Sequence, residues 1–190
     1  LYQAEPFVDQ LIGVGLDSSE VGNPPEWFEE AFQLAREAGL HAVAHAAEEG
    51  PPVYVTNAIE ALEVERIDHG VRAEADAGVI DTLVRDQIPL TMCPLSNVKL
   101  RVFDAIGDHN LKRLLDLGVK VTINSDDPAY FGGYVLDNYL AAVDGLDLSI
   151  EEVVQLCRNS IEASFLSASE KTGLLDDLET VARGQLPTPR

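Results

Sequence analysis

Four stretches of this sequence carry imidazoles or carboxylates to the end of an apolar run. Leu40-His-Ala-Val-Ala-His45 is followed by Ala46-Ala47-Glu48, and Arg66-Ile-Asp-His69 stops at Gly70. Val119-Lys-Val-Thr-Ile-Asn124 runs through Ser125 into Asp126, Asp127 and Pro128, and Leu11-Ile-Gly-Val-Gly-Leu16 ends in Asp17-Ser-Ser-Glu20. His45, His69 and Asp126 offer N, N and O donors, a set suited to zinc. A catalytic zinc normally takes three protein ligands and leaves one position for water, whose pKa falls towards about 7. Glu48 and Asp127 would then be carboxylates that touch substrate rather than metal. Each residue alone has a plainer reading. A single histidine on an apolar strand is more often core than ligand, and two acids before a proline are often a solvated turn. The recurrence of the pattern at successive strand ends is what favours chemistry. His41 does not join His45 as a metal pair, because four strand residues span about 13 Å. His41 is read as structural, and His109, beside a helix start, as surface.

The elements that must hold these groups alternate. Strands are expected at 11–16, 40–45, 66–69, 88–93 and 119–124, from their β-branched and apolar content. Helices are expected between them. The first starts at Asn23-Pro-Pro-Glu26, with Asn23 as the capping residue, carries Trp27, Phe28, Ala31, Phe32, Ala35 and Ala38, and stops at Gly39. The second carries Tyr54, Val55, Ala58, Ile59 and Leu62, and the third Ala75, Val79, Ile80, Leu83 and Val84. Ser96 and Asn97 are placed in a loop after Pro94, and Asp108 is expected to cap a fourth helix carrying Leu111, Leu114, Leu115 and Leu117. Further helices are expected over 135–143 and 150–165, a weaker one through Leu175, and a frayed tail from Gly184 to Arg190. The order βαβαβαβαβ predicts a parallel sheet with right-handed crossovers. Polar residues at the C-terminal ends of its strands are the layout of a (β/α)8 barrel. An open doubly wound sheet would give a similar pattern, but its phosphate loop is missing, because Gly13-Val-Gly15 lies inside a strand and no third glycine opens the helix.

Composition narrows the partners. A chain of 190 residues fits one domain, 1–190. Its net charge of −20, from 13 Lys and Arg against 33 acids, argues against nucleic-acid binding. That balance suits a neutral or cationic small ligand. No apolar run reaches membrane-spanning length, so no membrane partner is expected, and Leu1 opens no signal-peptide pattern. Two cysteines, Cys93 and Cys157, suggest no disulfide framework and a reducing, cytoplasmic setting.

Taken together, His45-Ala-Ala-Glu48, Ile67-Asp-His-Gly70, Cys93-Pro-Leu-Ser-Asn97 and Thr122-Ile-Asn-Ser-Asp-Asp-Pro128 resemble the successive motifs of the adenosine and adenine deaminases of the amidohydrolase superfamily. Arg158-Asn-Ser-Ile-Glu-Ala-Ser-Phe165 resembles the helix that follows the barrel in that family. Gly15-Leu-Asp-Ser-Ser-Glu20 followed by Gly22-Asn-Pro-Pro25 looks more like the adenine enzymes. The resemblance implies an α/β fold, a (β/α)8 TIM barrel of metal-dependent amidohydrolase type, here about strands 4–8 plus C-terminal helices. It implies one Zn2+ per subunit, with His45 and Asp126 as ligands. Glu48 would donate a proton to purine N1, His69 would orient the attacking hydroxide and handle its proton, and Asp127 would hydrogen-bond near N7. Ser19 and Glu20 would lie near the edge of the purine that bears the sugar in a nucleoside. The implied reaction is hydrolytic deamination of adenine to hypoxanthine and ammonia, a purine-salvage step on a small aminopurine. Adenosine or an N6-substituted purine is the alternative substrate, and a catalytically incomplete purine-binding remnant the non-enzyme alternative. The zinc site of the cytidine deaminases is a poorer match, since it needs H-x-E and P-C-x-x-C.

The chain departs from the family pattern twice. The usual His-Ala-Gly-Glu has Ala47 at the glycine, a costly exchange if that position needs positive φ. The family's His-x-His pair is absent. The expectation is therefore a chain that begins near the fourth strand of a barrel of about 250 residues or more. Its two further histidine ligands would come from the missing N-terminal part. Alone it should bind zinc weakly and turn over little or not at all. A homo-oligomer is compatible with the sequence, which does not specify one.

Overall fold

A computed structural model describes residues 4–185. The chain divides into two compact units. One reaches to Thr91 and takes in Leu117–Val119, and the other comprises Met92–Asp116 and the chain from Lys120 onward. The strands of the first unit pair in chain order.

In the first unit, β1 (Gly13–Leu16), β2 (His41–Ala46), β3 (Arg66–His69) and the start of β4 (Leu90–Met92) run parallel. The β2 register sets Ala44 opposite Ile67, His45 opposite Asp68 and Ala46 opposite His69. Along β2 burial alternates, with Ala42, Ala44 and Ala46 buried and His41, Val43 and His45 less so. A period of two is what a pleated strand with two different faces requires. A short 3-10 turn, Pro25–Phe28, leads into α1 (Glu29–Glu37). Glu29 and Glu30 in the first turn of α1 and Arg36 in its last suit the helix dipole, and Phe32 and Ala35 form the buried stripe. Arg36 continues outward to the Leu62 carbonyl at 2.5 Å and to Glu63 at 2.7 Å. Next, α2 (Val53–Asn57) passes into a π-helical turn, Ala58–Leu62, and Glu63 ends it in the left-handed conformation. Asp76 caps α3 (Ala77–Asp86) by accepting the Gly78 N–H at 2.8 Å. Leu62, Ile67, Leu83 and Leu90 are fully buried and make up much of this unit's core.

In the second unit, α4 (Pro94–Lys99) and α5 (Leu111–Asp116) precede β5 (Val121–Ile123), all three of whose residues are buried. The Asn124 N–H donates to the Met92 carbonyl at 2.8 Å, which extends the β4 and β5 pairing to the strand ends. Then come α6 (Pro128–Phe131), α7 (Val135–Leu146), α8 (Ile150–Ala163) and α9 (Ala168–Gln185). A capping box opens α8: the Glu152 N–H donates to Ser149 Oγ at 3.2 Å, and the Ser149 N–H to Glu152 Oε2 at 2.6 Å. Asn159, buried on α8, donates to the Val121 carbonyl at 2.8 Å and ties the helix to β5.

Several elements differ from expectation. Ser96 and Asn97 lie in α4 rather than in a loop, because Pro94 occupies the first helical position, where its missing N–H costs nothing. Asn23 is not a helix cap. Its Nδ2 donates to the Ser19 carbonyl at 3.0 Å and closes the loop after β1. Asp108 lies in a 3-10 turn, Ile106–Asp108, instead of capping α5. His109 is not on the surface but 1% exposed. Its Nδ1 accepts from the Leu111 N–H at 3.1 Å, so its Nε2 carries the proton and donates to Asn97 Oδ1 at 3.1 Å. The weak last helix runs to Gln185, so Gly184 belongs to it, and the rest of the expected frayed tail, 186–190, lies outside the described residues.

Candidate active site

In the first unit, the ends of β1, β2 and β3 carry the groups singled out above. His45 is the penultimate residue of β2, and His69 is the last residue of β3. Their rings stack at 4.8 Å between centroids and 18° between planes. Strict alternation along β3 groups His69 with Ile67. A left-handed backbone at His69, φ +62°, turns its ring out of that alternation. Gly70 follows at φ +67°, and a Cβ there would meet Leu90 Cδ2 at 2.7 Å. The glycine thus serves the backbone turn and the close passage of Leu90. Asp68 accepts a hydrogen bond from the Thr91 hydroxyl.

The segment after β2 is not helical. Ala46 ends the strand and 47–50 are bends, so Glu48 does not return to His45 along a helix face. Ala47, wholly buried, takes φ +60°, and its carbonyl accepts the Arg72 N–H at 2.8 Å. That turn swings the Glu48 carboxylate to 3.3 Å from His69 Nδ1, with both side chains largely buried. His45 Nδ1 is buried and has no hydrogen-bond partner among the described residues. A buried nitrogen left unpaired costs about 1–3 kcal/mol, and an imidazole with an unused nitrogen is donor chemistry that zinc takes. His41, by contrast, pairs with Glu65 at 2.7 Å and is a third exposed or more, in keeping with a structural role.

Beside His45 lies a cavity of about 270 Å3, lined by residues 16–20 together with Asn23, Pro25, Phe28, His45 and Tyr54. Ser19 is exposed and Glu20 is buried there. Glu20 Oε1 accepts the Glu48 N–H at 3.0 Å, and Oε2 accepts the Gly50 N–H at 2.9 Å. Phe28 and Tyr54 add apolar walls. Their helical spacing made them look like ordinary core, and nothing local in the sequence marks them as cavity residues.

In the second unit, Asp126 follows β5 in the left-handed conformation, φ +55°. The buried Ser96 hydroxyl donates to Asp126 Oδ2 at 2.6 Å and fixes that carboxylate. Asp127, exposed, precedes α6, whose first turn closes with the Tyr130 N–H on the Asp127 carbonyl at 2.9 Å. The Asn138 amide, fully buried, accepts the Leu95 N–H at 3.0 Å and donates to the Tyr134 carbonyl at 3.1 Å, which ties α7 to α4. Ser18, Ala47, His69 and Asp126 all have positive φ, and each stands at or just after a strand's C-terminal end. Non-glycine residues in that region are uncommon and concentrate at functional sites.

Comparison with known proteins places the chain in a family. Residues 3–181 match the family model described as adenosine deaminase. An adenine deaminase from Hahella chejuensis is 56% identical over 179 residues, covering 94% of this chain and 54% of that protein. One from Ectopseudomonas mendocina is 58% identical over 163 residues, covering 86% of this chain and 52% of that protein. The chain spans about half the length of the curated relatives it matches. The crystal structure of an adenine deaminase from Arthrobacter aurescens superposes with a TM-score of 0.90 at 50% identity, covering 96% of this chain and 58% of that one. A zinc-bound amidohydrolase from Burkholderia ambifaria, 24% identical, superposes with a TM-score of 0.83 over 96% of this chain and 56% of its own, and shows the shared fold alone. The fold class is thus the α/β barrel of the amidohydrolases, matched over little more than half of each of these two structures. With its strand-end motifs inside the matched residues, the chain belongs to the adenosine deaminase family.

Proposed function

We propose that this chain serves the hydrolytic deamination of adenine to hypoxanthine and ammonia. The observation that carries the reading is identity above 50% to adenine deaminases over 94% of the chain, a span that includes the paired Glu48 and His69. His45 and Asp126 are the residues we assign to zinc. The unused Nδ1 of His45 supports the first, and the carboxylate fixed by Ser96 supports the second. When bound, zinc lowers the pKa of water and so supplies a nucleophile at neutral pH.

The chain's own groups do the remaining work. Glu48 delivers a proton to purine N1, which makes C6 more electrophilic. His69, within 3.3 Å of Glu48, takes and returns the proton of the attacking water. Asp127 holds the purine near N7, and Ser19 faces the edge that in a nucleoside bears the sugar, with Glu20 behind it in the same loop. A largely buried Glu48 and an apolar wall from Phe28 and Tyr54 keep bulk water from competing for these protons. The partner is a small neutral aminopurine, and two free cysteines suit a cytoplasmic setting. Among the described residues no helix is long and apolar enough to cross a membrane.

Ammonia release from adenine and from adenosine, with added zinc, tests this reading. It is measured on this chain and on the longest gene product that contains it. Release from adenine alone supports the proposal. Preference for adenosine keeps the chemistry but overturns the substrate, and silence of the longer product with both purines overturns the function.

A further inference from the structure

Among the described residues of the first unit, Glu20 is an acid whose carboxylate is buried and spent on backbone amides of another loop. It comes from the loop after β1, and the amides belong to Glu48 and Gly50 after β2. The two bonds, 3.0 and 2.9 Å, hold the 48–50 segment at each end. Bonds from a carboxylate to N–H groups are about twice as strong as neutral ones. Gly50 is there for the same reason. A Cβ on it would lie 2.6 Å from Glu20 Oε2 and 2.7 Å from Tyr54 Cδ2, so a side chain at this position would keep the carboxylate from its present approach. On the N-terminal side the clamp meets Ala47, already held at φ +60° with its carbonyl on the Arg72 N–H. The Glu48 backbone is therefore held on both sides, which sets the point from which its side chain reaches to 3.3 Å from His69 Nδ1.

We propose that Glu20 is a positioning residue, which fixes the proton donor Glu48 through its backbone and couples the loop that lines the purine cavity to the loop that delivers the proton. Glu20 belongs to both, because residues 16–20 line the cavity and its carboxylate holds the 48–50 segment. A purine that displaced the loop after β1 would displace the proton donor with it. The catalytic half of this inference rests on the proposed deamination. The mechanical half does not.

Two readouts separate them. Amide hydrogen exchange is followed at the amides of residues 48 and 50 in the native chain, in Glu20→Gln, in Gly50→Ala and in the control Glu49→Gln, whose side chain is exposed and outside the clamp. A carboxamide offers one oxygen where the clamp needs two, and the methyl group introduced by Gly50→Ala pushes the carboxylate away. Exchange at both amides should be slow in the native chain and in the control, and at least about tenfold faster in the other two. Unprotected amides in the native chain, or equal protection in all four proteins, overturn the clamp. In the longest gene product that contains this chain, Glu20→Gln should also lower kcat for adenine about tenfold or more with KM within about twofold. A raised KM with unchanged kcat makes Glu20 a direct purine contact and overturns positioning. If no purine reacts with that longer product, the deaminase reading fails, and the exchange rates still decide whether the clamp exists.

Discussion

The Glu48 carboxylate stands 3.3 Å from His69 Nδ1, although the two residues belong to different strand ends and both leave their strands through left-handed backbone. Neither spacing nor helix geometry makes this pair. It exists because Ala47 at φ +60° swings Glu48 away from β2, while His69 at φ +62° turns back towards β2. A carboxyl and an imidazole this close, shielded from solvent, can pass a proton between substrate and attacking water.

Loss of the carboxyl should therefore cost turnover more than binding. In the longest gene product that contains this chain, Glu48→Gln keeps the shape but cannot give up a proton, and kcat for ammonia release should fall by about 10²–10⁴. KM should change little. A large rise in KM at unchanged kcat would make Glu48 a binding group instead.

The unused nitrogen of His45 leads to a second expectation. Chelator treatment should abolish ammonia release, and added zinc should restore it. His45→Ala should retain less zinc per chain than the native protein after dialysis against the same buffer. Asp127→Asn, a change next to Asp126 but outside the assigned ligands, should retain the native amount. Equal zinc in all three proteins would remove His45 from the metal site.

The strand ends were legible because each is punctuated chemically. Arg66–His69 is bounded by Gly70, β2 by its alternation, and β5 by the acids and Pro128, so their types and order could be read directly. Pro94-Leu-Ser-Asn97 misled because its composition suits a turn as well as a helix start, and the Asn138 side chain of α7, which takes up the first-turn Leu95 N–H, lies 43 residues away. His109 misled for a related reason. A histidine beside a helix start is ordinarily solvated, and the partners of this buried one include Asn97, twelve residues earlier. Positive φ at Ala47, His69 and Asp126 leaves little local signature, since glycine, the usual marker, is absent from all three. The clamp by Glu20 depends on amides 28 and 30 residues away, which no local pattern encodes.

Ala47 offers a measurable cost. A left-handed alanine is strained by roughly 1–2 kcal/mol, while its buried methyl contributes about 0.8 kcal/mol. Glycine would relieve the strain but add about 0.4–1 kcal/mol of unfolded-state entropy. Ala47→Gly should thus stay within about 1 kcal/mol of the native stability in urea unfolding. Ala47→Val places a branched side chain at positive φ in a fully buried site and should cost about 3 kcal/mol, from strain and overpacking together. A tolerated valine would show that the turn after β2 is looser than its hydrogen bonds imply.

Glu152 should contribute to acid sensitivity. Its hydrogen bond from Lys112 holds the carboxyl below its ordinary pKa; partial burial opposes this, and the Ser149 N–H adds to the depression. The sign follows from that depression. An acid whose pKa is lower in the folded state stabilises the fold above its unfolded pKa, near about 4.3, and loses that contribution as pH falls through the lower folded value. Glu152→Gln keeps a side-chain oxygen for the capping box but removes the charge, so at about pH 7 it should cost about 1 kcal/mol. The gap between native and variant stability should then close as the pH is lowered from about 5 towards about 3. Thermal unfolding across that range measures it. A gap that stays constant with pH would assign the whole effect to the cap on α8 and none to the ion pair with Lys112.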